Sequence, residues 1–371
     1  MNLTLQIHEK QIAVQCSMPV QKSTFCFALL NTLKISRFLN NGLPVTPAAA
    51  EECQMEFRPP MTKYTFDGLE TGELWVEYEG SLSGWFLYMQ ENVIHFSSYN
   101  GWYPAGFDAE KIYDVTLKCD DSWQLVHGSY DAENTCWHYH AQDQSIEDCN
   151  ILLYKPQACE QMENQNVRIL CFNPESSSIA RSFFEGYSDI CSFYHQLYGR
   201  EVDSFTQIIF LPKQEGSDGA YKRDGLIVFG NVWSKPDRML HVLAHEMGHT
   251  YGSGADTETW EDWLNETHAE WSALLYQEAH NQALFEQLVA ELPKRYQRPV
   301  LTLRPDGDKR PPEVHTTGTL LYDGIYQRHG RQAIETLVTT FDQLPVKTTD
   351  RFLQALGQHS PALAAEIRAC L

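Results

Sequence analysis

A chain of 371 residues with 28 basic and 49 acidic side chains carries a formal net charge of −21 and a sequence pI near 5.0. A surface of that sign repels phosphate backbones and anionic bilayers, so neither nucleic acid nor a membrane is an expected partner. The length exceeds what one hydrophobic core usually organises, and two domains are expected.

Met1 to Gln11 mixes Glu9 and Lys10 with isolated apolar residues and has neither the apolar stretch nor the cleavage site of a signal peptide. No run of eighteen apolar residues marks a transmembrane helix. The ten cysteines are scattered without a Cys-x-x-Cys spacing, which reads as reduced thiols and a cytoplasmic location.

Up to about residue 160 the chain reads as short strands, among them Leu74 to Tyr78, Gly84 to Met89 and Lys111 to Leu117. Aromatic and β-branched residues between Gly, Asp and Asn clusters predict an all-β domain, sandwich-like or saddle-like, over residues 1–163. Over 164–371 the pattern changes to a mainly helical domain, giving a multi-domain α+β fold. Val167 to Phe172, Thr206 to Leu211 and Leu226 to Phe229 read as strands, and Ser178 to Tyr198 as an amphipathic helix. A helix from about Arg238 to Thr250 follows Pro236 and Asp237 and would stop at Gly252 and Gly254. Asp262 can cap a second helix through about Gln282. Beyond a loop rich in proline and charge, Arg304 to Pro312, helical patterns recur at about Thr317 to Arg328, Arg331 to Phe341 and Thr349 to Gln358.

His245-Glu246-Met247-Gly248-His249 places two imidazoles one helical turn apart on the same face, where both can reach one cation. Met239, Leu240, Leu243, Ala244 and Met247 give this helix its buried faces, and polar groups there are costly unless something binds them. A hydrolytic zinc site needs three protein ligands and an open position for water. Glu266 is the expected third ligand: sixteen residues separate it from His249, enough for a turn and a return onto an adjacent helix. Glu270, a turn further on, can accept a hydrogen bond from the outer nitrogen of a ligand histidine, or could itself be the ligand with Glu266 in support. His268 faces the other way. His241 lies a turn before His245 and reads as a helix-surface or core histidine, and Glu258, Glu261 and Asp262 read as a solvated acidic turn. Two imidazoles and a carboxylate favour one Zn²⁺ per chain.

With these residues in place, the chain resembles the gluzincin metallopeptidases, and within them the aminopeptidase N family. The His245-Glu246-x-x-His249 motif followed by Trp263-Leu264-Asn265-Glu266 looks like the family's paired zinc helices, two residues closer than its usual spacing. Trp102-Tyr103-Pro104 with Phe107-Asp108 is similar to a segment of its amino-terminal β domain, and Val314 to Phe341 to its later helices. The resemblance implies a thermolysin-like catalytic domain, with Gly219, Ala220 and Gly225-Leu226-Ile227 at the substrate-binding strand.

Two departures bear on function. Where the family's strand supplies a glutamate for the substrate α-amine, this chain has Lys222, and a cation there repels an ammonium group. Where the family places its transition-state tyrosine, three residues before a helix-starting glycine, this chain has His315 before Gly318; Tyr322 is the reserve donor. The chain also ends without the family's long carboxy-terminal helical domain.

The expected activity is zinc-dependent peptide hydrolysis by activated water, with Glu246 as general base, aminopeptidase-like. Alternatives are an endopeptidase, a zinc hydrolase acting on a non-peptide amide or epoxide, and a non-catalytic zinc-binding scaffold.

Overall fold

The computed structural model describes residues 1–55, 57–109, 113–141, 149–201, 205–295, 304 and 309–371. The chain divides into two compact units, Met1–Cys159 with Gln214–Ser217, and Glu160–Lys213 with Asp218–Leu371. The strand Glu160–Glu163 goes with the second unit, four residues ahead of the boundary expected at 163/164, because it pairs with Val167–Cys171.

The first unit is all β. Its largest sheet runs in the order Ser129–Asp131, Cys136–Ala141, Tyr113–Leu117, Asn2–His8, Gln11–Val20, Gly72–Ser81, Lys34–Asn40, Leu43–Pro44. Every neighbouring pair is antiparallel except Asn2–His8 with Tyr113–Leu117. Alternation positions it: Ile12, Val14, Cys16, Met18 and Val20 are buried on one face of Gln11–Val20 while the intervening residues are not. Sheets of three and four strands, around Met61–Phe66 and Ile151–Tyr154, complete the unit. Trp102, Tyr103 and Phe96 fill the core, with the Trp102 indole donating to the Cys149 carbonyl.

Two predicted strands change here. Gly84 to Met89 keeps only Tyr88–Met89, because Gly84 and Phe86 take positive φ of 115° and 55° that break an extended backbone. The strand expected from Lys111 is seen as Tyr113–Leu117, residues 111 and 112 lying outside those described. Residues 305–308 of the charged loop lie outside as well.

The second unit has a five-stranded sheet in the order Glu160–Glu163, Val167–Cys171, Thr206–Phe210, Leu226–Phe229, Ala220–Arg223, with the middle three parallel and both edges antiparallel. Thr206–Phe210 and Leu226–Phe229 are buried along their whole length, as central parallel strands are. Eight helices are seen among the described residues: α1 Ser177–Tyr198, α2 Pro236–Gly248, α3 Trp263–His280, α4 Gln282–Arg295, α5 Val314–His329, α6 Arg331–Asp342, α7 Thr349–His359 and α8 Pro361–Arg368. α4 and α8 were not predicted. None of these helices is long and apolar enough to cross a membrane. All ten cysteines are free.

The apolar sides of α1, α2, α3, α5, α6 and α7 form one core with this sheet, through Phe183, Ile190, Leu243, Trp263, Trp271, Tyr322, Leu337 and Phe352. Three glycines set the helix spacing. A Cβ at Gly248 would stand 3.0 Å from the Ala269 carbonyl oxygen, one at Gly252 would stand 2.9 Å from the His268 Cβ, and one at Gly318 would overlap Thr267 Oγ1. Glycine thus lets α2 and α5 approach α3 more closely than any side chain would permit.

Candidate active site

α2 starts at Pro236, whose fixed φ and missing N–H suit the first helical position, and buries Met239, Leu243, Ala244 and Met247. It ends earlier than predicted, at Gly248, with His249 as its cap residue. His249 keeps a right-handed backbone (φ −61°, ψ −16°), so the one-turn spacing survives and the two imidazoles stand 4.9 Å apart, centroid to centroid, nearly perpendicular. α3 returns alongside with Glu266 and Glu270 on one face. Asp262 precedes α3 but gives it no side-chain cap: it is buried, accepts from Arg310 Nε at 2.7 Å and from Asn265 Nδ2 at 2.6 Å, and is not part of a solvated acidic turn. Glu261 likewise accepts from the Thr349 amide and hydroxyl, tying α7 to the start of α3.

His245 Nε2 lies 3.5 Å from Glu266 Oε2, and His249 Nε2 lies 3.8 Å from the same oxygen. One donor atom from each of the three residues falls within 4.8 Å of the others, the arrangement predicted for the ligand set. Glu270 does not join them. Its Oε2 accepts from His245 Nδ1 at 2.9 Å and its Oε1 lies 3.3 Å from His241 Nε2. His241 is therefore buried, as the core alternative of its reading had it, and its contact with Glu270 was not anticipated; the available signal was its position four residues before His245.

The fit to a cation is tested by Glu266 Oε2. This oxygen is buried and accepts no well-formed hydrogen bond, although His315 Nδ1 approaches to 2.8 Å. A buried anionic oxygen without a well-formed hydrogen bond is costly, and with two imidazole nitrogens facing it a metal ion would satisfy all three.

The electrostatics agree. Burial alone would raise the Glu266 carboxyl, but His315, His245 and His249 hold it well below the usual carboxylate range. Burial depresses His245, and Glu266 and Glu270 more than reverse this, pushing it well above the usual imidazole value. A proton there answers the same surplus of negative charge that a cation would. Burial lowers His249 to about 3, which leaves a neutral imidazole with a free lone pair. Glu246, also buried, is raised to about 7 by desolvation, with His245 opposing and Glu266 reinforcing the shift. A carboxylate near neutrality can both take and return a proton.

His315 opens α5, which Gly318 brings against α3, and its side chain is 57% exposed while its ring meets Glu266. Tyr322, the reserve donor, does not take that place. It is fully buried, and its hydroxyl meets His268 Nε2 at 3.0 Å in the core. Gly219 precedes and Ala220 opens the edge strand Ala220–Arg223, with Ala220 in register with Phe229. This strand packs against α2, and the charges of Lys222 and Arg223 act on His249 and Glu246 respectively.

No family model matches the sequence, and no curated protein is detectably similar to it in sequence. Solved structures are similar. An M1 zinc metallopeptidase from Deinococcus radiodurans aligns over 99% of this chain and 92% of its own, with a TM-score of 0.64 at 14% identity. The chain has the fold of the M1 zinc metallopeptidases. A mutant of the Deinococcus enzyme bound to a Tyr-Ser-Ala substrate aligns over the same shares, with a TM-score of 0.63 at 15% identity. Yeast LTA4 hydrolase aligns over 99% of this chain but 65% of its own length, with a TM-score of 0.68 at 11% identity, so this chain spans just under two thirds of that enzyme. These likenesses agree with the multi-domain α+β fold and the gluzincin resemblance read from the sequence.

Proposed function

We propose that the protein is a zinc-dependent hydrolase of peptide bonds. The observation that carries this reading is the buried Glu266 Oε2, without a well-formed hydrogen bond and faced by His245 and His249 Nε2, with the charges of His245 and Glu266 acting on Glu246. His245, His249 and Glu266 would hold one Zn²⁺, which supplies Lewis acidity that activates water and polarises a carbonyl. Glu246 takes the proton of the attacking water and delivers it to the leaving amine. Glu270 fixes His245 through Nδ1, leaving Nε2 for ligation. His315 donates to the oxygen on which negative charge develops. Tyr322 is not assigned a role in this scheme, its hydroxyl being committed to His268.

The Deinococcus mutant carries a Tyr-Ser-Ala peptide, which supports a peptide substrate for this chain too. Recognition of a free substrate amine is supported less. Lys222 and Arg223 bring positive charge toward His249 and Glu246, which favours a second reading in which the bound group is neutral or anionic, at an internal peptide bond or on a non-peptide substrate. Gly219, Ala220 and Lys222 would line that substrate along the edge strand.

Mass spectrometry of a mixed peptide pool, with zinc-loaded wild type run beside Glu246→Gln, tests both readings. Loss of single amino-terminal residues supports an aminopeptidase, and internal cuts support an endopeptidase. Absence of cleavage, or equal cleavage by Glu246→Gln, sinks the peptidase proposal.

A further inference from the structure

Among the described residues a second group brings three metal-ligand side chains together, in the β unit and outside everything assigned above: Asp131, Cys136 and His138. The hairpin Ser129–Asp131 and Cys136–Ala141 explains how. Asp131 and Cys136 are direct cross-strand partners at the mouth of a four-residue turn, and His138, two residues beyond Cys136, falls on the same face. Direct partners such as Asp131 and Cys136 stand about 5 Å apart on a pleated sheet, and the diagonal from Asp131 to His138, about 7–8 Å, is within reach of an imidazole. Here one donor atom from each lies within 4.8 Å of the others.

The details orient those donors. Cys136 Sγ lies 3.5 Å from His138 Nε2, which lies 3.8 Å from Asp131 Oδ2. His138 Nδ1 lies 3.3 Å from Thr116 Oγ1 on the neighbouring strand; a ring that donates from Nδ1 to this hydroxyl turns the Nε2 lone pair toward the other two residues. Asp131 is held by its turn. Its Oδ1 accepts from the amides of Glu133 and Asn134, and its Oδ2 accepts from Asn134 Nδ2 at 2.8 Å, with a further lone pair to offer. Cys136 is buried, whereas the His138 side chain is 47% exposed, so an ion can enter from solvent and find a thiol already sheltered.

We infer that Asp131, Cys136 and His138 form a second metal site, for a borderline-soft divalent cation such as Zn²⁺, with water completing a tetrahedron. The set of one sulfur, one imidazole nitrogen and one carboxylate oxygen is suited to zinc, and hard cations such as Mg²⁺ or Ca²⁺ would not choose a thiolate. On binding, the thiol proton leaves to solvent as the metal–sulfur bond forms. Ser129–Asp131 is the edge strand of the eight-stranded sheet and is three residues long. A bound ion would staple this short edge strand to Cys136–Ala141. This inference does not depend on the proposed peptidase site.

The test exploits the sulfur, since the ligand set on α2 and α3 contains none. Metal-free full-length protein is titrated with Co²⁺ and followed for the sulfur-to-cobalt charge-transfer absorption. With two sites to fill, the wild type is expected to complete the band by two equivalents per chain, Cys136→Ser to lose it, and His138→Ala to need at least tenfold more Co²⁺. His245→Ala is expected to keep the band in full. Because Cys136 is buried and its replacement could disturb folding, the more exposed His138→Ala carries the same test independently. No band in the wild type, a band unchanged in Cys136→Ser, or a band unchanged in His138→Ala overturns the inference.

Discussion

Glu270 Oε2 stands 2.9 Å from His245 Nδ1, and this one contact decides which nitrogen of His245 is available for ligation. With Nδ1–H given to the carboxylate, Nε2, 3.5 Å from Glu266, is the nitrogen that a cation can take in exchange for a proton. Glu270→Gln preserves shape but offers a neutral acceptor to both His245 and His241. Zinc affinity measured by chelator competition is expected to fall about 10- to 100-fold. Unchanged affinity would remove Glu270 from the site's support.

Glu266→Ala should behave differently from Glu246→Gln. The first removes the oxygen that both imidazoles face, and elemental analysis should find the α2–α3 metal gone. The second should retain that metal while turnover drops on the order of 10²- to 10⁴-fold, the usual worth of a general base. Full zinc occupancy in Glu266→Ala at this site would shift the ligand role to Glu270.

At Gly318 a side chain has no room. A Cβ there overlaps Thr267 Oγ1, itself buried without a hydrogen bond, so Gly318→Ala should destabilise the protein by roughly 1–3 kcal/mol and move His315 away from Glu266. Thr267→Ala removes the nearest clashing atom but leaves Trp263 Cε3 at 2.7 Å from the new Cβ. In denaturant titrations the double variant should therefore recover part of the loss, a coupling that strictly additive effects would exclude.

His268 supplies a pH dependence. It is fully buried against Phe341, its Nδ1 2.5 Å from the Leu264 carbonyl oxygen and its Nε2 3.0 Å from the Tyr322 hydroxyl, and burial lowers its pKa from 6.5 to about 3. Between those values the unfolded chain binds a proton that the folded chain does not. Stability from this residue is present above pH 6.5 and is lost as pH falls toward 3, at up to about 1.4 kcal/mol per pH unit. His268→Gln removes the titrating group, so its stability should fall less steeply across that window than the wild type's. Equal slopes would mean that other groups set the acid sensitivity.

The zinc helices were legible because their chemistry is periodic: His245, Glu246 and His249 share a helical turn, and Glu266 with Glu270 repeat that spacing. The partners of His241 and the commitment of Tyr322 were not, since each depends on a residue distant in sequence: Glu270 for the first and His268 for the second. Asp262 looked solvated because Arg310, which buries its charge, lies 48 residues away. The strand expected from Gly84 failed for a local reason, a positive φ at Phe86, which a phenylalanine does not announce. The Asp131–Cys136–His138 group went unnoticed because a hairpin register, not a Cys-x-x-Cys spacing, assembles it.

Gly248 and Gly318 press α2 and α5 against α3 from two directions, and the apolar core behind them is continuous. The three helices that carry His245, His249, Glu266 and His315 are thereby held by packing that no ion contributes to. Binding a cation need not organise the polypeptide, so little of the coordination energy is diverted into reorganisation. Chelation at this site should behave as a reversible exchange of a metal for protons within a standing scaffold, in contrast to small zinc domains, whose folding is itself the binding reaction.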